Sequence, residues 1–186
     1  MATRSELEIR AASIGVTAAN YPNDSKLEQA VIYAENAKSP SIAEVKATGT
    51  LTLSGNAVAG ETVTIGGKVY TWVATAVENA VENQVLVGAA ATNSLDNLKS
   101  AIMADPAGRG SLYSIPTGKH PTVVVSDKTA TTVVVTANNS GVKGNSIATT
   151  ETMTNGSWGA ATLASGVNGS GPKARDIQAR SGGANV

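Results

Sequence analysis

Polar and apolar positions alternate most regularly over residues 49–74, GTLTLSGNAVAGETVTIGGKVYTWVA. Thr50-Leu51-Thr52-Leu53 has period two, the signature of a strand with one face buried and one wetted. In residues 61–73 the apolar Val63, Ile65, Val69, Tyr70 and Val73 surround Gly66-Gly67. A Gly pair supplies the positive φ angles that a two-residue hairpin turn requires, so this stretch predicts two antiparallel strands. The Thr50–Leu53 strand is expected to pair with that hairpin.

On either side the period changes. Thr3 and Ser5 are both candidate N-caps, each with a Glu three positions on (Glu6, Glu8), and Gly15 suits a left-handed C-terminal cap; together they predict a helix over 4–14. A second helix is expected behind Asp24 or Ser25, where Ser25 and Glu28 fit a capping box. In it Leu27, Ala30, Val31 and Ala34 fall at i, i+3, i+4 and i+7, one apolar stripe. Two short helices with so few large side chains make a poor independent core, so the stripe is expected to dock on a partner. Ser39-Pro40-Ser41 breaks the helix, because proline moves its predecessor away from the helical region.

Beyond the hairpin, residues 75–83 read as a loop and Gln84-Val85-Leu86-Val87 as a short strand. Leu95, Leu98 and Ile102 return to helical spacing behind Thr92, Asn93 or Ser94 as cap, and Asp105-Pro106 ends the run. Residues 106–121 are rich in proline and glycine and predict a long loop. Thr122-Val123-Val124-Val125 and residues 131–136 then predict a second hairpin. Its continuous valines imply burial on both faces, or an edge that a partner chain covers. The fold class is therefore α+β: a mainly antiparallel β domain over 42–168 with one packed amphipathic helix, a two-helix arm over 1–38, and an extended tail over 169–186.

Composition narrows the function classes. The 186 residues carry 14 basic and 14 acidic side chains, which argues against a nucleic-acid binder that neutralises phosphate over its whole surface. Cysteine and phenylalanine are absent and aromatics make up 3%, so stability must come from small aliphatic burial or from assembly with other subunits. The chain has neither a run of about 20 apolar residues nor a charged-then-apolar leader, so membrane insertion and secretion are not expected.

Catalytic chemistry is hard to assemble from these residues. His120 is the single histidine, and without cysteine a zinc site of the usual ligands is not expected. His120 and Asp127 suggest two parts of a triad, but no Gly-x-Ser-x-Gly elbow presents a nucleophile. The Gly66-Gly67-Lys68 sequence lies within a hairpin and does not lead into a helix, so a turn explains it better than a phosphate loop. Scattered carboxylates give no calcium loop. No catalytic, cofactor or metal residue is assigned, and Trp72 and Trp158 are read as core or interface anchors.

Two stretches resemble known families. ELEIRAASIGV, a short extended link and DSKLEQAVIYAENA resemble the helix-extension-helix module found near the ends of many bacteriophage structural proteins, some of whose relatives contact DNA and others protein. Here Arg4, Arg10, Lys26 and Lys38 are balanced by Glu6, Glu8, Asp24, Glu28 and Glu35, which favours protein. From about residue 47 to 168, GTLTLSGNAVAGETVTIGGKVYTW, TNSLDNLKSAI, VVVTANNSGVKGNSIATTET and ATLASGV occur in the order of a β-rich domain recurring in tailed-bacteriophage virion proteins.

The resemblance implies a non-enzymatic virion structural protein, a capsid decoration (cement) or head/neck component, assembled in the bacterial host cytoplasm. Its implied partners are the major capsid or other virion proteins and further copies of itself, while the missing apolar run argues against a membrane and the balanced charges argue against nucleic acid. A tail tube, fibre or adaptor subunit is the alternative within that class. A carbohydrate-binding β module and a DNA-binding protein are alternatives outside it. The residues assigned to protein contact are Leu27, Ala30, Val31 and Ala34 in the arm, with Lys173, Arg175 and Arg180 in the tail.

Overall fold

A computed structural model describes residues 2–38, 42–75 and 80–170. The Ser39-Pro40-Ser41 break, part of the 75–83 loop and the tail from 171 onward lie outside the described residues. The described chain divides into two compact units: residues up to Ala43, with Gly169 and Ser170, form one, and Glu44–Asn168 forms the other.

In the first unit, α1 (Arg4–Ile14) starts at Thr3 with the expected capping box. The Thr3 hydroxyl takes the Glu6 N–H at 3.3 Å, while Glu6 Oε2 takes the Thr3 N–H at 2.7 Å. Gly15 closes the helix at φ 79°, a left-handed conformation that glycine adopts without a Cβ clash. A 3-10 turn at Ala18–Asn20 interrupts the link to α2 (Asp24–Lys38). The cap of α2 differs from expectation. Asn23 Oδ1 takes the Lys26 N–H at 2.9 Å, leaving the Asp24 carboxylate to accept from Arg4 at 3.2 Å. Asn caps as well as Asp or Ser, so the helix begins one residue earlier.

In the second unit two four-stranded sheets share one core. The strands are β1 (Lys46–Leu53), β2 (Thr62–Ile65), β3 (Lys68–Val73), β4 (Gln84–Leu86), β5 (Val123–Lys128), β6 (Thr132–Ser140), β7 (Thr149–Glu151) and β8 (Gly156–Trp158), with α3 (Ala91–Met103) between β4 and β5. One sheet has the order β5-β6-β1-β8 and the other β4-β3-β2-β7. The β2–β3 hairpin turns on Gly66 (φ 54°) and Gly67 (φ 84°), pairing Ile65 with Lys68. Among the described strands the pairs are antiparallel except β3 with β4, which is parallel.

The expected pairing of β1 with that hairpin is corrected. β1 lies in the other sheet, with Leu51 opposite Val133 of β6 on one side and Trp158 of β8 on the other. Length decides this. The eight residues of β1 find a full ladder in the nine of β6, whereas β2 offers four, and the alternating Val133, Val135 and Ala137 match the buried Leu51 and Leu53.

Two further expectations change. The helix α3 has Ala90 at its N-cap with no side-chain cap bond, because Thr92, Asn93 and Ser94 already lie in its first turn. Ser94 is buried and bridges instead: its hydroxyl accepts the Gly88 N–H at 2.9 Å and donates to Asn56 Oδ1 at 2.7 Å. The valine-rich edge strand β5 is covered from within the chain. Its Val125 N–H points at Met103 Sδ of α3 (3.4 Å), the register slips between Val125 and Asp127, and Lys128 reaches back to Asp96 at 2.9 Å. A bulge, a lysine and a covering helix are standard ways to blunt an edge.

Candidate interaction site

The arm is built by a short ladder of contacts. Near the start of both helices Arg4 Nη1 meets the Tyr21 carbonyl at 3.1 Å and Asp24 at 3.2 Å. Farther along, Arg10 grips Glu35 with two nitrogens, at 3.1 and 2.6 Å. Contacts matched start to start and end to end mean that α1 and α2 run parallel. The link of residues 15–23 must therefore travel back the length of α1. At about 1.5 Å per helical residue and at most about 3.5 Å per extended one, it reaches easily.

Between the helices, among the described residues, lies a core of four buried side chains, Leu7, Ala11, Leu27 and Val31. Of the residues assigned to partner contact, Leu27 and Val31 are thus 0% exposed and packed inside the arm, with Ala30 and Ala34 half-buried beside them. The sequence stripe is real, but its apolar area is used by α1. Lys173, Arg175 and Arg180 lie outside the described residues. What the arm shows to solvent is a different set: Ile9 (70% exposed), Tyr33 (44%) and Ile32 (38%). Ile9 stands two residues from Leu7, about 200° around α1 and away from the core face. An isoleucine opposite the buried stripe is the sequence feature that marks this face.

The second candidate is the surrounding of His120, which is 2% exposed. Its Nδ1 accepts the Thr122 N–H at 3.2 Å, so Nε2 carries the proton and donates to the Ile65 carbonyl at 2.9 Å. The ring stacks on Tyr70 at 6.3 Å with 29° between planes, and Lys68 Nζ lies 5.6 Å from the Tyr70 centroid while donating to the Gly118 carbonyl at 2.7 Å. Burial and the Lys68 charge lower the His120 pKa, against the opposing bond to Ile65. Both imidazole nitrogens are engaged in the neutral form. This histidine fastens the 106–121 loop to β2 and is not poised to shuttle a proton.

A shallow cleft of about 300 Å³ is lined by Thr149, Thr150, Glu151, Trp158, Ala160 and Ala161. Trp158 is half-buried there, its Nε1 donating to the Thr150 carbonyl at 3.2 Å. Trp72, by contrast, is a core residue at 1% exposure. Tyr70 and Tyr113 are buried too, which removes half of the chain's four tyrosines and two tryptophans from any sugar-stacking platform. Among the described residues no group of three or more His, Cys, Asp or Glu side chains is placed to hold a metal. No described helix is long and apolar enough to cross a membrane. No protein-family model and no curated protein matches the chain.

Proposed function

We propose that the protein is a non-enzymatic bacteriophage virion component, a capsid decoration or head/neck protein that binds neighbouring virion subunits. The resemblance of the arm and of residues 47–168 to virion modules motivates this reading. The observation that carries it is the arm's construction: a parallel helix pair closes on its own four-residue core and turns Ile9, Ile32 and Tyr33 outward. A unit that needs so little of the chain to hold together, yet presents apolar side chains to water, suits a docking device repeated around a particle. The engaged nitrogens of His120 favour binding over catalysis in the β unit.

The test is localisation in purified particles. Protein carrying a label should appear at a fixed site in many copies per virion by imaging at moderate resolution. Particles assembled in its presence that contain none would refute the proposal.

A further inference from the structure

Where the edge strands β7 and β8 of the two sheets approach each other, an acidic side chain stands on a face that is otherwise apolar. Residues directly opposite in a ladder share a face of the sheet. Glu151 lies opposite Val63 and Trp158 opposite Leu51, and both valine and leucine are fully buried in the shared core, so Glu151 and Trp158 also stand on the inner faces. Together they line the cleft of about 300 Å³.

The indole is fixed as one wall. Its Nε1 donates to the Thr150 carbonyl at 3.2 Å, so the ring reaches from β8 to β7, and it rests beside Gly49, where a Cβ would stand 3.8 Å from Cζ3. Glu151 is half-buried, and among the described residues no hydrogen bond or ion pair holds its carboxylate. A charge partly withdrawn from water is normally paired. An indole beside an unpaired carboxylate suits a long cationic side chain: the arginine guanidinium stacks on the ring and gives the carboxylate two N–H bonds. The volume is at the small end of ligand sites and fits one side chain better than a whole cofactor. A sugar would also stack on the ring, but it brings no positive charge to Glu151.

The chain itself carries such groups. Residues 171–186 hold Lys173, Arg175 and Arg180 against Asp176 alone. We propose that the cleft takes an arginine from the tail of a second copy, pairing it with Glu151 against the Trp158 ring. The copy's own course leads away from its cleft: Trp158 lies opposite Leu51 and Val167 opposite Val45, roughly 20 Å farther along β1. A neighbour's tail arrives without having to double back over that distance. Because donor and receptor are different surfaces, the contact is heterologous, and copies add head to tail into rings or open chains. It is a property of the protein in solution, whatever particle the protein joins.

Sedimentation of the full chain over a range of concentrations, at low and high salt, measures the contact. The wild type should grow in size with concentration, and added salt should reverse the growth. Glu151→Gln removes the receptor charge, and a chain with both Arg175→Gln and Arg180→Gln removes the donors; each should associate about tenfold or more weakly. Mixed together, the two variants should form a one-to-one pair, because the first still offers a tail and the second still offers a cleft. A synthetic peptide of residues 171–186 should in addition change the Trp158 fluorescence of the tail variant, a readout that needs no substitution in the cleft. A wild type that stays monomeric at every concentration, variants that associate as the wild type does, a mixture that forms no pair, or a peptide without effect would overturn the proposal.

Discussion

Glu61 and Thr154 are joined across 93 positions of sequence: Glu61 Oε1 accepts the Thr154 N–H at 2.6 Å. The second carboxylate oxygen takes the Val58 N–H at 3.0 Å, so one side chain ties the entry of β2 to the turn between β7 and β8. Burial alone would raise the Glu61 carboxyl, but the hydrogen bonds from the Thr154 backbone and side chain and from the Val58 N–H outweigh it and hold the group below its ordinary range. Glu61→Ala leaves both N–H groups without this acceptor and should cost about 1–3 kcal/mol, with Glu61→Gln intermediate. The wild-type advantage is fully present above the ordinary carboxylate pKa and is lost as pH falls through the lowered folded value. Urea unfolding of the variants at neutral and acidic pH measures both effects; equal midpoints at neutral pH would show that the bonds contribute nothing.

His120 gives a second pH dependence, displaced from the first. Its folded pKa lies below the ordinary 6.5, so the unfolded chain binds the proton more tightly. The stability that follows is complete above 6.5 and declines as pH drops from there toward the folded value. Protonation would also turn Nδ1 into a donor facing the Thr122 N–H. His120→Gln should flatten the unfolding midpoint across that window while leaving the Glu61 decline in place. A midpoint slope unchanged in the variant would remove His120 as its source.

The hairpin turn separates two glycines that look alike in sequence. Both have positive φ, so valine at either should cost about 1–3 kcal/mol in backbone strain. A Cβ on Gly66 would in addition meet Thr122 Oγ1 at 3.3 Å and Ile147 Cγ2 at 3.4 Å, while one on Gly67 meets open space. Gly66→Val is therefore expected to melt below Gly67→Val, and both below the parent. Thermal denaturation that ranks them in reverse would place the turn differently.

The arm offers a way to separate folding from docking. Leu27→Ala removes a quarter of its four-residue core, a class of change that costs about 2–5 kcal/mol, and should melt α1 and α2 while β-unit unfolding stays where it was. Ile9→Ser changes a side chain 70% exposed and should leave helicity intact. On the proposed function both variants, like deletion of residues 1–38 or of 171–186, occupy particles less than the full chain at equal concentration. Full occupancy by the two deletions would assign attachment to the β unit alone.

What the sequence determined by itself was local chemistry with a short reach. Thr3, Glu6 and Gly15 delimit α1 because a capping box and a left-handed glycine act within one turn, and Gly66-Gly67 specifies its hairpin for the same reason. The spacing of Leu95, Leu98 and Ile102 identified the buried face of α3. What only the tertiary structure decided was partnership. The sequence pattern of Thr50–Leu53 says that one face is buried, but not against which strand; the long ladder of β6, some 80 residues away, settled that. In the sequence Leu27 and Val31 form an open stripe and Ser94 stands among cap candidates; in the fold α1 covers the stripe and Ser94 bridges Gly88 and Asn56. Local preferences are encoded within a few residues and survive in isolation, whereas burial is a competition among all apolar surfaces at once, and its outcome exists only when the whole chain is packed.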